Sequence, residues 1–320
     1  YNYHSLMDHI GSGKDWDLAR RSGGVKILPP YITAYANNMN SLYRTRLEAL
    51  KSVNYSIQQM TSDYVVMSDC DVICNIDLND MINDHIESGA DITIAVKYMP
   101  LTRSAAKNNT LVFANDEGRI TDLLAYPTNF EGYADVNLNI LVINRKYLQE
   151  MVLDAVAHGY VSMTRDILLR GLSYRNFRVY KYDGYFACIS SFEDYFAHSM
   201  QLIENKEMFA SLFGVESRPI YTKVRNSAPT YYSDLSSVRN SLIADGCVIE
   251  GTVENSILFR GVKVGRGSVV KNSILFQDTF IGENASVGYT VSDKNVVIRD
   301  GVTLSGHSTL PLYIEKGRMV

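Results

Sequence analysis

The sequence predicts two domains, an α/β domain with a mostly parallel sheet followed by a left-handed parallel β-helix. Near the C-terminus, an Asn-Ser-aliphatic unit recurs at Asn240, Asn255 and Asn272, which lie 15 and 17 residues apart. Single aliphatic residues recur through the same region at roughly hexad spacing. Upstream, short apolar segments alternate with amphipathic ones, as strands and helices do in α/β domains.

The C-terminal repeat is typical of stacked triangular coils. Three hexads form one coil of about 18 residues, with one inward aliphatic residue per hexad and Gly or Asn at corners that need a positive φ. A single coil cannot bury its apolar face alone, so the coils must stack. The alternative, a β-sandwich, would need hairpin turns about every 8–12 residues and two-residue alternation.

The N-terminal elements follow from local patterns. Continuous short apolar segments predict buried strands, and 3.6-residue periodicity predicts helices. An Asp116-Glu-Gly118 turn predicts a hairpin, and Asp77 is a plausible N-cap. The predicted strands are residues 63–68, 91–97, 110–115, 120–125, 139–143 and 177–182, and the predicted helices are residues 4–10, 40–59, 78–87, 146–158, 164–171 and 192–213.

Composition changes place the domain boundaries. We predict an α/β domain at residues 1–215, a linker at 216–237 and the β-helix at 238–320. The linker contains Pro219 and Pro229 and has no periodicity. The sequence opens on Tyr1 rather than Met, and a helix starts almost at once, so we expect an N-terminal segment to precede it.

The bulk composition narrows the function classes. The chain has 320 residues, 46% of them hydrophobic and 21% charged, with a net charge of −4. This balance is ordinary for a soluble globular protein, and the lack of Lys/Arg runs excludes a nucleic-acid footprint. The sequence has no apolar run long enough to span a membrane. The four cysteines have neither disulfide-framework nor metal-site spacing, which predicts a reduced, cytoplasmic protein.

Three strand ends could carry chemistry, because ligands bind beyond the carboxyl ends of parallel strands. The first carries Asp69 and Asp71, which could bind Mg²⁺ through oxygen ligands or could cap the next turn. The second ends at Tyr126. The third contains Cys188, which is either a small buried apolar residue or a reactive thiol. The six histidines lack ligand spacing.

Four stretches together resemble the bacterial ADP-glucose pyrophosphorylase (glucose-1-phosphate adenylyltransferase) family of glycogen synthesis, and the resemblance covers the whole chain. It implies a nucleotidyltransferase-like first domain joined to the β-helix. The family transfers an adenylyl group from ATP to glucose 1-phosphate and releases pyrophosphate. Such transfers depend on positioning and on charge neutralisation by Mg²⁺ and Lys/Arg. The four stretches are residues 16–31, 64–71, 183–186 and 218–222.

The sequence keeps some of the family's catalytic residues and has other residues at the remaining positions. Asp71 falls on the first metal aspartate, but Cys188 stands where the family has the second. Tyr126 replaces the lysine that binds the sugar phosphate. The sugar-contact stretch falls on Asn137 and Asn139, which with Asp69 are our candidate substrate-binding residues.

The nucleotide side departs from the family as well. The Gly-rich loop has no counterpart in this sequence, and bulky Arg46 and Leu47 replace small residues of the nucleotide-contact stretch. Each charged contact to a phosphoryl transition state is worth ~3 kcal/mol. The combined losses therefore predict a rate that is lower by several orders of magnitude.

A sequence that keeps the family's fold but lacks its catalytic charged residues resembles the regulatory type of subunit in this family. The resemblance implies a heterotetramer with a catalytic subunit, allosteric modulation of that partner, and an effector such as a sugar phosphate or nucleotide. One alternative is an active adenylyltransferase. Another is an acyltransferase, which would need a catalytic His on the coils. Residues 236–304 contain none, and His307 follows the last hexad.

Overall fold

The computed structural model describes residues 4–21, 23–28, 45–222 and 226–320. Residues 40–44 of the predicted helix 40–59 lie outside these ranges, as do residues 29–31 of the first family-like stretch. Helices α1 to α8 are His4–Ile10, Arg46–Ser52, Asn54–Gln58, Leu78–Glu87, Arg103–Ala106, Arg145–Ala157, Phe192–Glu204 and Lys206–Phe213. A 3₁₀ turn spans Lys14–Trp16, and a π-type helical segment spans Met163–Leu169.

The strands of the first domain, β1 to β8, are Tyr64–Ser68, Val72–Cys74, Ile92–Leu101, Thr110–Ala114, Ile120–Ala125, Gly132–Asn144, Phe177–Lys181 and Phe186–Cys188. Six of them form a mixed sheet in the order β5-β4-β6-β3-β7, with β1 also paired to β6. Strand β6 is antiparallel to β1, β3 and β4, whereas β3 and β7 are parallel. Strands β1, β3, β4 and β7 therefore run in one direction, and the α/β class is confirmed.

Helices cover both faces of this sheet. On one face, helices α2, α3 and α6 pack into the larger core through Leu47, Ile57 and Leu148 respectively. Met81 of α4 packs with Leu138 on the other. Asp77 caps α4 as predicted, since its side chain accepts from the backbone N–H groups of Asn79 and Asp80.

Several predicted elements have other bounds in the structure. Strand β3 runs on to Leu101, and the described part of the predicted helix 40–59 is divided into α2 and α3 at Val53. Strand β6 begins at Gly132, whereas the sequence predicts a start at residue 139. The apolar pattern hides this first half of the strand, because Tyr133, Asp135 and Asn137 alternate there with buried residues. The predicted helix 192–213 is wrong as one continuous element. It ends at Asn205, where the backbone is extended (φ −111°, ψ 101°) and the side chain caps α8.

The second domain is a parallel β-helix, as predicted. Its strands form three sheets of five parallel strands each, with orders β10-β13-β16-β19-β22, β11-β14-β17-β20-β23 and β21-β18-β15-β12-β9. Strand β9 falls inside the range predicted as linker, where it pairs with β12 and starts the first coil. Strands β9 to β23 are Tyr231–Tyr232, Ser237–Arg239, Leu242–Ile243, Val248–Ile249, Thr252–Glu254, Ile257–Leu258, Lys263–Val264, Val269–Lys271, Ile274–Leu275, Phe280–Ile281, Ser286–Gly288, Thr290–Ser292, Val297–Ile298, Thr303–Ser305 and Leu312–Ile314.

The Asn of each repeat supplies a corner in the left-handed conformation. Asn240, Asn255 and Asn272 have φ values of 45°, 48° and 46°. Their side chains stack, with Asn240 Nδ2 donating to Asn255 Oδ1 (2.8 Å) and Asn255 Nδ2 donating to Asn272 Oδ1 (2.6 Å). Asn tolerates this conformation better than most side chains. This ladder therefore provides hydrogen-bond partners for the corner side chains and links neighbouring coils.

The Ser that follows each Asn links one coil to the next. Ser273 Oγ donates to the Lys271 carbonyl at 2.7 Å and accepts from the Thr290 N–H at 3.1 Å. Ser256 Oγ likewise accepts from the Ser273 N–H at 3.1 Å. These hydroxyls replace backbone ladder partners at the corner, where the strands are interrupted.

We expect Ser273→Ala to lower the free energy of unfolding by ~1–3 kcal/mol, because it leaves the buried Thr290 N–H without an acceptor. The matched control is Ser286→Ala, an exposed serine on β19, with an expected change near zero. Urea unfolding of the two variants measures this difference. Equal midpoints for both would show that the Ser ladder adds nothing to stability.

The two domains contact each other through α7. Phe196, Met200 and Ile203 are buried against Ile274 and Val291 of the β-helix. This apolar contact forms what we call the α7 seam, and its apolar burial favours one arrangement of the domains.

Residues just before the β-helix are tied to the first domain by polar contacts. Arg218 Nη1 forms an ion pair with Asp77 Oδ2 at 2.8 Å. The Asn75 side chain donates to the carbonyls of Leu212 (2.7 Å) and Arg218 (3.0 Å). Because Asn75 is buried, these bonds satisfy a group that would otherwise be costly.

Candidate functional site

Asp69 and Asn139 are neighbours because Asp69 directly follows the end of β1, which pairs there with the middle of β6. The last register pair is Ser68 with Ile140, so the next residues on each strand emerge side by side. Arg46, at the start of α2, bridges them. Its Nη2 lies 2.7 Å from Asp69 Oδ1 and donates to the Asn139 carbonyl at 2.9 Å. The Asp69 carboxylate is therefore engaged by a guanidinium.

Asn137 and Asn139 lie at an irregularity where the β3–β6 register shifts. Asn139 adopts a φ of 58°, and its N–H donates to Asn137 Oδ1 at 2.9 Å. Asn137 Nδ2 in turn donates to Asn139 Oδ1 at 3.3 Å. The two candidate sugar-contact side chains thus bind one another and fix the local turn.

Asp71 and Cys188 are brought together by the two-stranded ribbon of β2 and β8. Val72 is the register partner of Cys188, and the Ile189 N–H donates to the Asp71 carbonyl at 2.8 Å. The Cys188 Sγ–H donates to Asp71 Oδ2 at 3.6 Å. Positions 117 residues apart in sequence are therefore neighbours, as the family comparison implied.

The Cys188 thiol is neutral in this setting. Burial, with a further contribution from the Asp71 carboxylate, raises the pKa of the Cys188 thiol to about 11. At pH 8 the thiolate fraction is on the order of one in a thousand. Cys188 is therefore a hydrogen-bond donor to Asp71, and the reactive-thiol alternative has no support from its ionisation.

The metal fit is poor at this pair. Asp71 Oδ1 is buried and makes no hydrogen bond within the described ranges, so one oxygen is free to coordinate. However, the second family position is a neutral thiol, and Asp69 is paired with Arg46. Mg²⁺ prefers several oxygen ligands and near-octahedral geometry. One free carboxylate oxygen beside a thiol does not reproduce a two-carboxylate site.

Tyr126 lies at the end of the β4–β5 hairpin. Its backbone has a φ of 52°, and its N–H donates to the Asn109 carbonyl at 3.0 Å. The preceding residue, Ala125, pairs with Thr110, which directly precedes the Leu111–Val136 register pair with β6. Ala125 is thus level with Asn137, two strands away, and Tyr126 lies one residue past that level with its side chain exposed. It supplies no positive charge there.

Two contacts near the site do not follow from the sequence pattern. Arg46 pairs with Asp69, which lies 23 residues away in the sequence. Lys97 Nζ donates to the carbonyls of Asp183 (2.8 Å) and Gly184 (2.6 Å), and burial lowers the pKa of Lys97. A lysine that ends an otherwise apolar strand segment was an available signal. Lys97 holds the turn that leads into β8 and so positions Cys188.

The acyltransferase alternative gains nothing from His307. Its Nδ1 lies 2.9 Å from Thr309 Oγ1 in an exposed turn, and its ring stacks on Tyr289. These contacts are local and bring no second catalytic group to the ring.

Comparison with known proteins gives consistent matches over both domains. Residues 230–308 match the family model "GlmU-like, C-terminal hexapeptide". The chain is 35% identical over 318 residues to the "Glycogen biosynthesis protein GlgD" of Bacillus subtilis, covering 99% of this chain and 80% of that protein. It is 34% identical over 279 residues to the "Glucose-1-phosphate adenylyltransferase" of Geobacillus stearothermophilus, covering 83% and 67%.

A further relative is the GlgD protein of Geobacillus stearothermophilus, 33% identical over 273 residues, with 84% of this chain and 66% of that protein covered. Within the described ranges, each helix is too short or too polar to cross a bilayer. The fold, the paired positions Asp71 and Cys188, and these likenesses agree. The chain belongs to the glucose-1-phosphate adenylyltransferase (ADP-glucose pyrophosphorylase) family of glycogen biosynthesis, as a member of the GlgD type.

Proposed function

We propose that this chain is a regulatory subunit of ADP-glucose pyrophosphorylase with little or no adenylyltransferase activity of its own. The observation that carries the proposal is the Asp71–Cys188 pair. The two positions that the family resemblance assigns to metal carboxylates are neighbours in this chain, but one of them is a neutral thiol that donates to the other. Phosphoryl-type transfer depends on metal charge at this point.

The substrate side supports the same proposal. The exposed Tyr126 supplies no cation for a sugar phosphate. Asn137 and Asn139 hydrogen-bond to one another, and Arg46 lies between Asp69 and Asn139 and binds both. A nucleotide or sugar phosphate entering this region must compete with formed contacts. We therefore propose that this region serves, at most, as an effector site.

The proposed partner is a catalytic subunit of the same family, in a heterotetramer. The chain would act by holding that partner in one of two states, since modulation requires contacts that differ between the states. The α7 seam offers a physical route, because it couples the strand end at Cys188 directly to the β-helix through Phe196 and Met200.

The second candidate is an active adenylyltransferase. The similar identities to relatives named GlgD (35%) and glucose-1-phosphate adenylyltransferase (34%) keep this function in view. It would require charge at the site to come from residues other than Tyr126 and Cys188.

The two candidates differ in turnover by the full-length protein alone. With ATP, glucose 1-phosphate and Mg²⁺, we expect ADP-glucose formation at least roughly 10³-fold below an ordinary kcat of ~10 s⁻¹. Glucose-1-phosphate adenylyltransferase of a relative, assayed in parallel, controls for the assay. An ordinary kcat for this protein would establish the second candidate and overturn the first.

A further inference from the structure

An exposed aromatic pair lies on the first domain, away from the contacts described above. Tyr98 of β3 and Tyr133 of β6 are each 63% exposed, and their rings stack with centroids 5.5 Å apart and 28° between planes. Isolated exposed aromatic residues are common on protein surfaces. Here, however, two large rings stack on each other, which fixes their orientation and leaves the outer face of the pair exposed to solvent.

A charged pair borders these rings. Asp135 is the register partner of Tyr98 on the neighbouring strand, and it forms an ion pair with Lys181 of β7. The Asp135 side chain is only 13% exposed, and its Oδ1 is buried with no hydrogen-bond partner in the described part of the chain. The buried carboxylate therefore holds Lys181 in place, and the Lys181 side chain, which is 54% exposed, keeps ammonium N–H groups that can donate to a ligand.

The residues belong to one face of the sheet. Tyr133, Asp135 and Asn137 alternate with buried residues along β6, so their side chains point the same way. We call Tyr98, Tyr133, Asp135 and Lys181 the tyrosine platform. The resemblance implies that Asn137 is the sugar-contact position, and the platform extends the same face outward beyond it.

This combination matches the chemistry of a neutral sugar ring. One face of a pyranose presents C–H groups, which pack on an aromatic ring, while its edge presents hydroxyls that need acceptors and donors. Lys181, held by Asp135, offers a donor at the edge of the rings. An anionic ligand is less well suited, because Asp135 already neutralises Lys181.

We propose that the tyrosine platform binds a neutral α-glucan chain. The platform is an open surface, which suits a chain that passes across it, and the family acts in glycogen biosynthesis. The proposal does not rest on the regulatory role, since an active enzyme could carry the same surface. Its failure would therefore leave the proposed function untouched.

The test is binding of maltoheptaose to the full-length protein, measured by calorimetry. Retardation of the protein in native gels that contain glycogen measures binding to the polymer. We expect weak binding, with a Kd of ~1 mM, and a loss of roughly tenfold or more in Tyr98→Ala and Tyr133→Ala. Tyr98→Phe should bind as the wild type does, because it keeps the ring. The control is Tyr55→Ala, which removes an equally exposed tyrosine on α3.

Two results would overturn the proposal. One is wild-type binding that is undetectable or that survives both alanine substitutions. The other is binding of glucose 1-phosphate, but not of maltoheptaose, with the same dependence on Tyr98, which would assign the platform to a sugar phosphate instead.

Discussion

Replacing Cys188 with Asp will create a two-carboxylate site for a divalent metal at Asp71. The substitution places a second carboxylate beside Asp71, whose Oδ1 is free of hydrogen bonds within the described ranges. Two carboxylates with free oxygens suit Mg²⁺ or Mn²⁺. At a metal concentration 100 times Kd, the free energy of unfolding should rise by about 2.7 kcal/mol.

Thermal unfolding with and without MnCl₂ measures this effect. Cys188→Ser, which keeps a small neutral side chain, and Cys70→Asp, which adds a carboxylate at an exposed thiol, are the matched controls. We expect neither control to respond to the metal. A Cys188→Asp variant with no more response than Cys188→Ser would show that the second position is not a metal site in this chain.

Metal binding alone should not restore catalysis. Tyr126 would still lack the charge of a lysine, and Arg46 would still pair with Asp69. We therefore expect Cys188→Asp to gain metal affinity with little ADP-glucose formation, and Cys188→Asp combined with Tyr126→Lys to gain glucose 1-phosphate affinity as well, by roughly 100-fold.

Phe196→Asp should be the most destabilising single change in the α7 seam. Phe196 is 2% exposed and packs among Met200, Ile274 and Val291, so a carboxylate there has no partner. Leaving a buried charge unpaired costs ~3–5 kcal/mol. Gln201→Asp introduces the same charge on the exposed face of α7 and should cost less than about 0.5 kcal/mol.

Calorimetry and urea unfolding measure the loss, and the shape of the transition carries further information. If the seam couples the domains, Phe196→Asp should separate their unfolding into two steps. The same variant should also lose its influence on a catalytic partner. A Phe196→Asp protein that unfolds like Gln201→Asp would contradict the role given to this contact.

The β-helix could be predicted from sequence because its determinants are local and repeated. Each Asn sets one corner, each Ser bonds to the next coil, and three copies carry the same signal. The break at Asn205 was missed although Asn is a good N-cap, because the apolar periodicity continues across it.

The site was predictable only in part. Alignment to the family placed Asp71 opposite Cys188, and the structure brings them together. The bridge from Arg46 to Asp69 and Asn139 depends on strand register and on where α2 begins, which no local pattern reveals. The stacking of Tyr98 on Tyr133 likewise requires two strands to be neighbours in a known register.

The most direct test of the regulatory role is kinetic. ADP-glucose formation should be measured for a catalytic subunit alone and for the same subunit co-expressed and co-purified with this chain, at equal catalytic-subunit concentration. We predict that the complex has a higher kcat or a lower KM than the catalytic subunit alone, and that Phe196→Asp removes the difference. Identical kcat and KM with and without this chain, in a complex that is shown to have formed, would contradict the account.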